Sequence, residues 1–225
     1  MAANGEVDAL RVRFHQPMKA PRLWSRLGAA IYDPFLALGE RRGMRDRRAR
    51  LLRGARGTVL EIGAGTGLNL THYPDEVEAL LLTEPQDPMA RRIESRIRRT
   101  GVHASVLRAG AESLPVDTAS VDSVVSTMVL CTVPDPEAAL AEMRRVLRPD
   151  GRLLFVEHVR ADSTRRSRWQ NRLAGPWRAF ADGCRCNQET LGMIERAFRV
   201  ERLDRDEWRG MPGVVRPLII GSAAK

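Results

Sequence analysis

Apolar residues recur along the chain in two rhythms. Short runs that are apolar throughout or alternate, bounded by glycine, proline and charge, read as strands at 58–62, 78–84, 102–107, 120–127, 200–203 and 216–220. Another begins after the turn Arg148-Pro149-Asp150-Gly151 and runs to Glu157-His158-Val159. Spacings of three and four read as helices. Leu23, Trp24, Leu27, Ile31, Phe35 and Leu38 form such a series, interrupted at Asp33-Pro34 and continued past Gly39 by an arginine-rich segment to Leu52. Met89, Ile93 and Ile97 form a second, and 134–147 a third, with Leu140, Met143 and Leu147 inward. Residues 163–180 carry Trp169, Leu173 and Trp177 four apart, either the apolar face of a plain amphipathic helix or a substrate wall. A last helix from Asn187 turns Leu191, Ile194 and Phe198 inward. Alternating helix and strand predicts a doubly wound α/β fold around a seven-stranded, mostly parallel sheet. Residues 1–20, without periodicity, read as a mobile arm, 21–53 as a helical segment and 54–225 as the main domain.

Candidate chemistry concentrates where the first strand breaks into glycines, Thr58-Val59-Leu60-Glu61-Ile62-Gly63-Ala64-Gly65-Thr66-Gly67-Leu68-Asn69. Alternate glycines let backbone approach a ligand with no Cβ in the way, and the free N–H groups beyond favour a polar or anionic group. The second strand ends in Glu84, at the distance where a dinucleotide-type unit places its ribose-binding carboxylate.

The string Glu-x-Gly-x-Gly-x-Gly over Glu61, Gly63, Gly65 and Gly67, with an acid closing strand two, resembles motif I of the class I S-adenosylmethionine (SAM) methyltransferases. That resemblance implies SAM as cofactor, its ribose on Glu84 beside Pro85. Its adenine would lie against Ala111 and Glu112 in a loop where many relatives carry an acid at the position of Gly110, and its methionine part beside Ser126, Thr127 and Met128. The resemblance also implies that 21–53 is a helical lid over the cofactor and substrate pocket, in which Tyr32 and Trp24 are ligand-touching or core-facing aromatics. Four stretches resemble more narrowly the methyltransferase-like alkyl-thiol S-methyltransferases: Ser126-Thr127-Met128-Val129-Leu130-Cys131-Thr132-Val133, Glu157-His158-Val159, Asp182-Gly183-Cys184 and Val215-Arg216-Pro217-Leu218-Ile219-Ile220-Gly221. Those relatives begin with an apolar membrane-associating segment that this sequence does not show. The resemblance implies a small-molecule thiol or dithiol as acceptor, with O-, N- or C-methylation of a small metabolite as the competitor. His158 and Asp182 are the candidate catalytic pair, one as base or charge partner and the other as orienter. Each also has a plain structural role open to it, a buried histidine satisfied by backbone and a helix-terminating aspartate.

Composition narrows the alternatives. The 225 residues carry a formal net charge of +9, almost wholly from arginine, since Lys19 and Lys225 are the only lysines. With 5% aromatics there is little to stack on bases, so solvated helix faces such as Arg91, Arg92, Arg96, Arg98 and Arg99 account for the charge better than nucleic acid does. An RNA methyltransferase is the reading that excess would favour. An NAD-dependent oxidoreductase fits less well, because the glycine spacing is wrong and no Tyr-x-x-x-Lys pair can form. No apolar stretch reaches membrane-spanning length and no signal peptide pattern is present, which predicts a cytoplasmic protein without a membrane partner. Cys131, Cys184 and Cys186 give no disulfide framework, and Cys184-x-Cys186 lacks the second pair of a zinc site, so reduced thiols and no metal are expected.

Overall fold

A computed structural model describes the backbone from residue 23 to 225 and the side chains from residue 30. The expected arm at 1–20 and the side chain of Trp24 lie outside those residues. The helices are α1 (Leu23–Gly39), α2 (Arg45–Leu52), α3 (Asp87–Thr100), α4 (Pro136–Val146), α5 (Thr164–Phe180) and α6 (Thr190–Ala197). The strands are β1 (Gly57–Ile62), β2 (Val77–Thr83), β3 (Ser105–Leu107), β4 (Val121–Thr127), β5 (Leu147–His158), β6 (Arg199–Glu207) and β7 (Pro217–Ala224). They form one sheet in the order β3-β2-β1-β4-β5-β7-β6, in which only β7 runs antiparallel to its neighbours. The doubly wound seven-stranded fold expected from the sequence is therefore present.

Successive strand residues serve opposite cores, which is why the central strands read as unbroken apolar runs. Leu60, Leu81, Val124, Leu153 and Phe155 pack on one face under α4 and α6. Val59, Leu80, Leu82, Val125 and Leu154 pack on the other with Leu52 and Ile93. Helix ends follow local chemistry. Asp135 caps α4 by accepting from the N–H groups of Glu137 and Ala138, ahead of a proline in the first turn. Gly101, at φ 71°, closes α3 in the left-handed region.

Three expectations change. The N-terminal series does not break at Asp33-Pro34; α1 continues through Pro34, and the break comes at a wide turn, Glu40–Met44, where Gly43 has φ 110°. Gly43 supplies a conformation other residues resist, so the chain breaks there rather than at the proline. The last helix begins at Thr190 rather than Asn187. The apolar stripe of α5 splits: Trp169 is 53% and Leu173 38% exposed, Trp177 is half-buried against Cys184, and the helix buries Ser167 and Gln170. The hydrogen bonds of Gln170 explain its burial: it accepts from Ala161 N–H (2.8 Å) and donates to the carbonyls of Cys186 (2.8 Å) and Val214 (2.9 Å), so the amide holds three chain segments together. No helix among the described residues is long and apolar enough to cross a membrane.

Candidate active site at the C-terminal edge of the sheet

Strand order reverses between β1 and β4, and in open α/β sheets ligands occupy the crevice beyond the strand ends at such a point. Gly63, Gly65 and Gly67 line it with φ of 57°, 59° and 78°, a conformation in which a side chain is strained. Their surroundings differ. A Cβ on Gly63 would lie 3.0 Å from both γ-carbons of Val129, and one on Gly67 2.8 Å from Leu70 Cδ1. At Gly65 the nearest atom is Tyr32 Cε1 at 3.9 Å, so this glycine faces open space.

Glu84 is 5% exposed, and each carboxylate oxygen accepts one backbone N–H, Oε2 from Gly65 and Oε1 from Gln86, both at 2.9 Å. Burial pushes its pKa up to about 7 against those two hydrogen bonds. Each oxygen keeps a lone pair for a further donor. Glu61 is used differently. Its Oε1 accepts from Asn69 Nδ2 (2.9 Å) and its Oε2 from the Tyr73 hydroxyl (2.6 Å). Burial likewise raises it to about 7. Asn69 Nδ2 also donates to Thr127 Oγ1 (3.2 Å), and its Oδ1 accepts from Arg48 Nη1 (3.0 Å), whose Nε donates to Glu40 (3.1 Å). Glu61 thus braces the glycine turn from beneath.

The N-terminal helices are tied to this turn. The Thr66 hydroxyl donates to Asp33, whose other oxygen pairs with Arg96 of α3 at 2.7 Å. Tyr32 is pushed up to about 12 by burial, with Arg48 opposing and Cys131 and Glu84 adding. Tyr32 lies beside Gly65 and packs on the cluster that holds Cys131 of the loop after β4. Ser126 turns its hydroxyl inward to Glu157 (2.7 Å), which also accepts from Val129 N–H (3.1 Å). Met128 follows at φ 61°, a strained conformation for a non-glycine residue. In the loop after β3, Ala111 is buried and Glu112 accepts from Asp135 N–H (3.3 Å); Pro85 is half-buried beside Glu84.

His158 and Asp182, expected to flank one acceptor, are held by different partners. Asp182, at φ 47°, accepts from Gln86 Nε2 at 2.7 Å, and the Gln86 N–H in turn donates to Glu84. His158 is 2% exposed at the end of β5, with Nε2 3.0 Å from Cys184 Sγ; its Nδ1 has no partner among the described residues. Cys131 joins this pair, and Trp177 Nε1 donates to Cys184 Sγ at 3.2 Å. Cys131 S–H, then His158 and Trp177, stabilise negative charge on Cys184 and hold its pKa well below the ordinary thiol value. Cys186, grouped with Cys184 in sequence, turns away to the Gln170 carbonyl. Sequence reasoning missed Asn69, Tyr73, Arg48, Gln86 and Cys131. Asn69 stood two residues past Gly67, but nothing local marks a buried arginine inside an arginine run.

The residues fit a SAM nucleoside. An open glycine lies opposite a buried carboxylate with free lone pairs, where ribose hydroxyls can donate. A family profile described as a methyltransferase domain matches residues 60–155. The chain is 36% identical to thiol S-methyltransferase TMT1A of Homo sapiens, over 75% of this chain and 70% of that protein. It is 33% identical to thiol S-methyltransferase TMT1B of Rattus norvegicus, over 75% and 70%. In fold it is similar to a SAM-dependent methyltransferase of Thermotoga maritima, with TM-score 0.65 and 21% identity over 90% of this chain and 97% of that one. A geranyl diphosphate methyltransferase solved in complex with SAM gives TM-score 0.61 at 13% identity, over 79% and 84%. The chain is a SAM-dependent methyltransferase and belongs to the family that holds these thiol S-methyltransferases.

Proposed function

We propose that the protein transfers the methyl group of SAM to the sulfur of a small-molecule thiol. The observation that carries the reading is the kinship with thiol S-methyltransferases across three quarters of the chain. When bound, SAM supplies a methyl carbon already activated by a sulfonium, so the protein has chiefly to hold the acceptor in line with it. Gly65 leaves room for the nucleoside, Glu84 accepts from its ribose, and Ala111 with Glu112 borders the adenine. Ser126 and Thr127, whose hydroxyls are held by Glu157 and Asn69, border the methionine part. Residues 21–53 act as a lid; the Asp33 contacts and Tyr32 over Gly65 support that role. A thiol, with an ordinary pKa of about 8.5, is partly ionised at neutral pH and needs no dedicated base. His158 borders the acceptor from the floor and Asp182 from the rim.

Incubation with methyl-labelled SAM and a panel of thiols, dithiols, phenols and amines tests the assignment. Label is expected on sulfur; label confined to phenols or amines overturns it. His158→Ala and Asp182→Asn are expected to lower kcat at saturating thiol. Near wild-type rates in both would remove them from the acceptor site.

A further inference from the structure

We propose that Cys131, Cys184 and His158 form a binding site for a thiophilic divalent cation of the zinc type, with a fourth coordination position that takes the acceptor's sulfur. The proposal rests on the methyltransferase reading above and specifies how the acceptor would be held.

The two sulfurs and a ring nitrogen all lie within 4.8 Å of one another, and all three residues are buried. A tetrahedral zinc with bonds of about 2.3 Å to sulfur and about 2.0 Å to nitrogen needs ligand atoms about 3.5–3.8 Å apart, so small side-chain rotations suffice. His158 turns Nε2 toward Cys184 Sγ at 3.0 Å, so a ring nitrogen able to ligate already faces the sulfurs. Two sulfurs and one imidazole are a ligand set that catalytic zinc uses with its last position open. Three segments converge to build it: the loop after β4, the end of β5 and the loop after α5. Cys131 and Cys184 share their apolar surroundings with Tyr32, Met128 and Leu68. Tyr32 also stands over Gly65, so the cluster adjoins the crevice rather than a remote core.

The chemistry balances without a redox partner. The acceptor's S–H proton leaves to solvent as its sulfur coordinates. That sulfur then forms a bond to the methyl carbon while the carbon–sulfonium bond breaks, and the departing electron pair leaves a neutral thioether.

The test uses the full chain, stripped of metal by a chelator and titrated with Zn2+ alone against a chromophoric competitor, then with Co2+ read by absorption. One equivalent per chain and a thiolate-to-cobalt charge-transfer band are expected. Both should vanish in Cys131→Ser and in Cys184→Ser and persist in Cys186→Ser, with circular dichroism checking the fold. His158→Asn supplies a second route should a cysteine variant misfold. Adding a small alkyl thiol should shift the cobalt spectrum. Failure of the folded wild type to bind, full binding by the double cysteine variant, or a spectrum indifferent to thiol overturns the proposal. So does loss of both thiols to a Cys131–Cys184 disulfide with no metal uptake. Calorimetry with SAM is run separately: absence of SAM heat sinks the methyltransferase reading while leaving the metal stoichiometry to stand or fall alone.

Discussion

Glu84 is a carboxylate that burial raises to about 7, so its charge state changes within the working range. Ribose hydroxyls donate hydrogen bonds, and protonation removes one acceptor, so SAM affinity is expected to weaken as pH falls below about 7, at most tenfold per unit. Glu84→Gln should weaken SAM binding about 10- to 100-fold, the equivalent of a charged hydrogen bond worth about 1.5–3 kcal/mol, and should flatten the pH profile. Calorimetry at several pH values checks both; a slope that survives the substitution assigns it elsewhere. The sign for folding is the reverse. Glu61 and Glu84 keep protons in the folded state that the unfolded chain loses above about 4.3. Their contribution is therefore present below that pH and is lost as pH rises to about 7. The place of Glu84 directly after β2 was legible in sequence, because it follows from the apolar run before it. The bracing role of Glu61 was not, since Asn69, Tyr73 and Arg48 reach it only in the folded chain.

The turn after β1 separates glycines packed against side chains from one that faces open space. Gly65→Ala places a methyl in open space toward Tyr32 at a left-handed φ, costing about 1–2 kcal/mol of backbone strain, a few degrees in Tm. Gly67→Ala adds a clash with Leu70 to the same strain. Gly67→Ala is therefore expected to melt lower, whereas Gly65→Ala should show the larger rise in SAM Kd for each degree of Tm lost. Melting and calorimetry on both variants decide it; equal Kd values in Gly65→Ala and wild type would show that this glycine does not face the cofactor. The three glycines were legible together as a motif. Their division of labour depends on Val129, Leu70 and Tyr32, which arrive from other elements.

Across the molecule the sheet depends on one close approach at its antiparallel edge. A Cβ on Gly221 would lie 2.1 Å from the Arg202 carbonyl oxygen and 2.7 Å from Phe155 Cζ, so β7 fits between β5 and β6 only without a side chain there. Gly221→Ala is expected to destabilise by about 3 kcal/mol, lowering Tm by roughly 6–12 °C. Gly175→Ala within α5, where nothing lies within 4 Å of the added methyl, should instead stabilise by up to about 1 kcal/mol. Thermal melting of the two variants checks the pair, and equal effects would contradict this account of β7. The arginine excess also reads differently in three dimensions: Arg47 and Arg48 are buried on Asp206 and Glu40, and Arg96 pairs with Asp33, so part of the charge joins elements together.

The order of strands and helices, the glycine turn and the acid after β2 were determined by sequence alone, because each depends on neighbours a few residues away. The tertiary structure decided which apolar residues stay outside, as on α5, where Gln170 is buried while Trp169 and Leu173 are exposed. It also decided that Cys184 belongs with Cys131 and His158 rather than with Cys186. The physical reason is the same in both cases: burial and partnership between distant segments are settled by how strands are ordered in the sheet, and that order leaves no local trace in the chain.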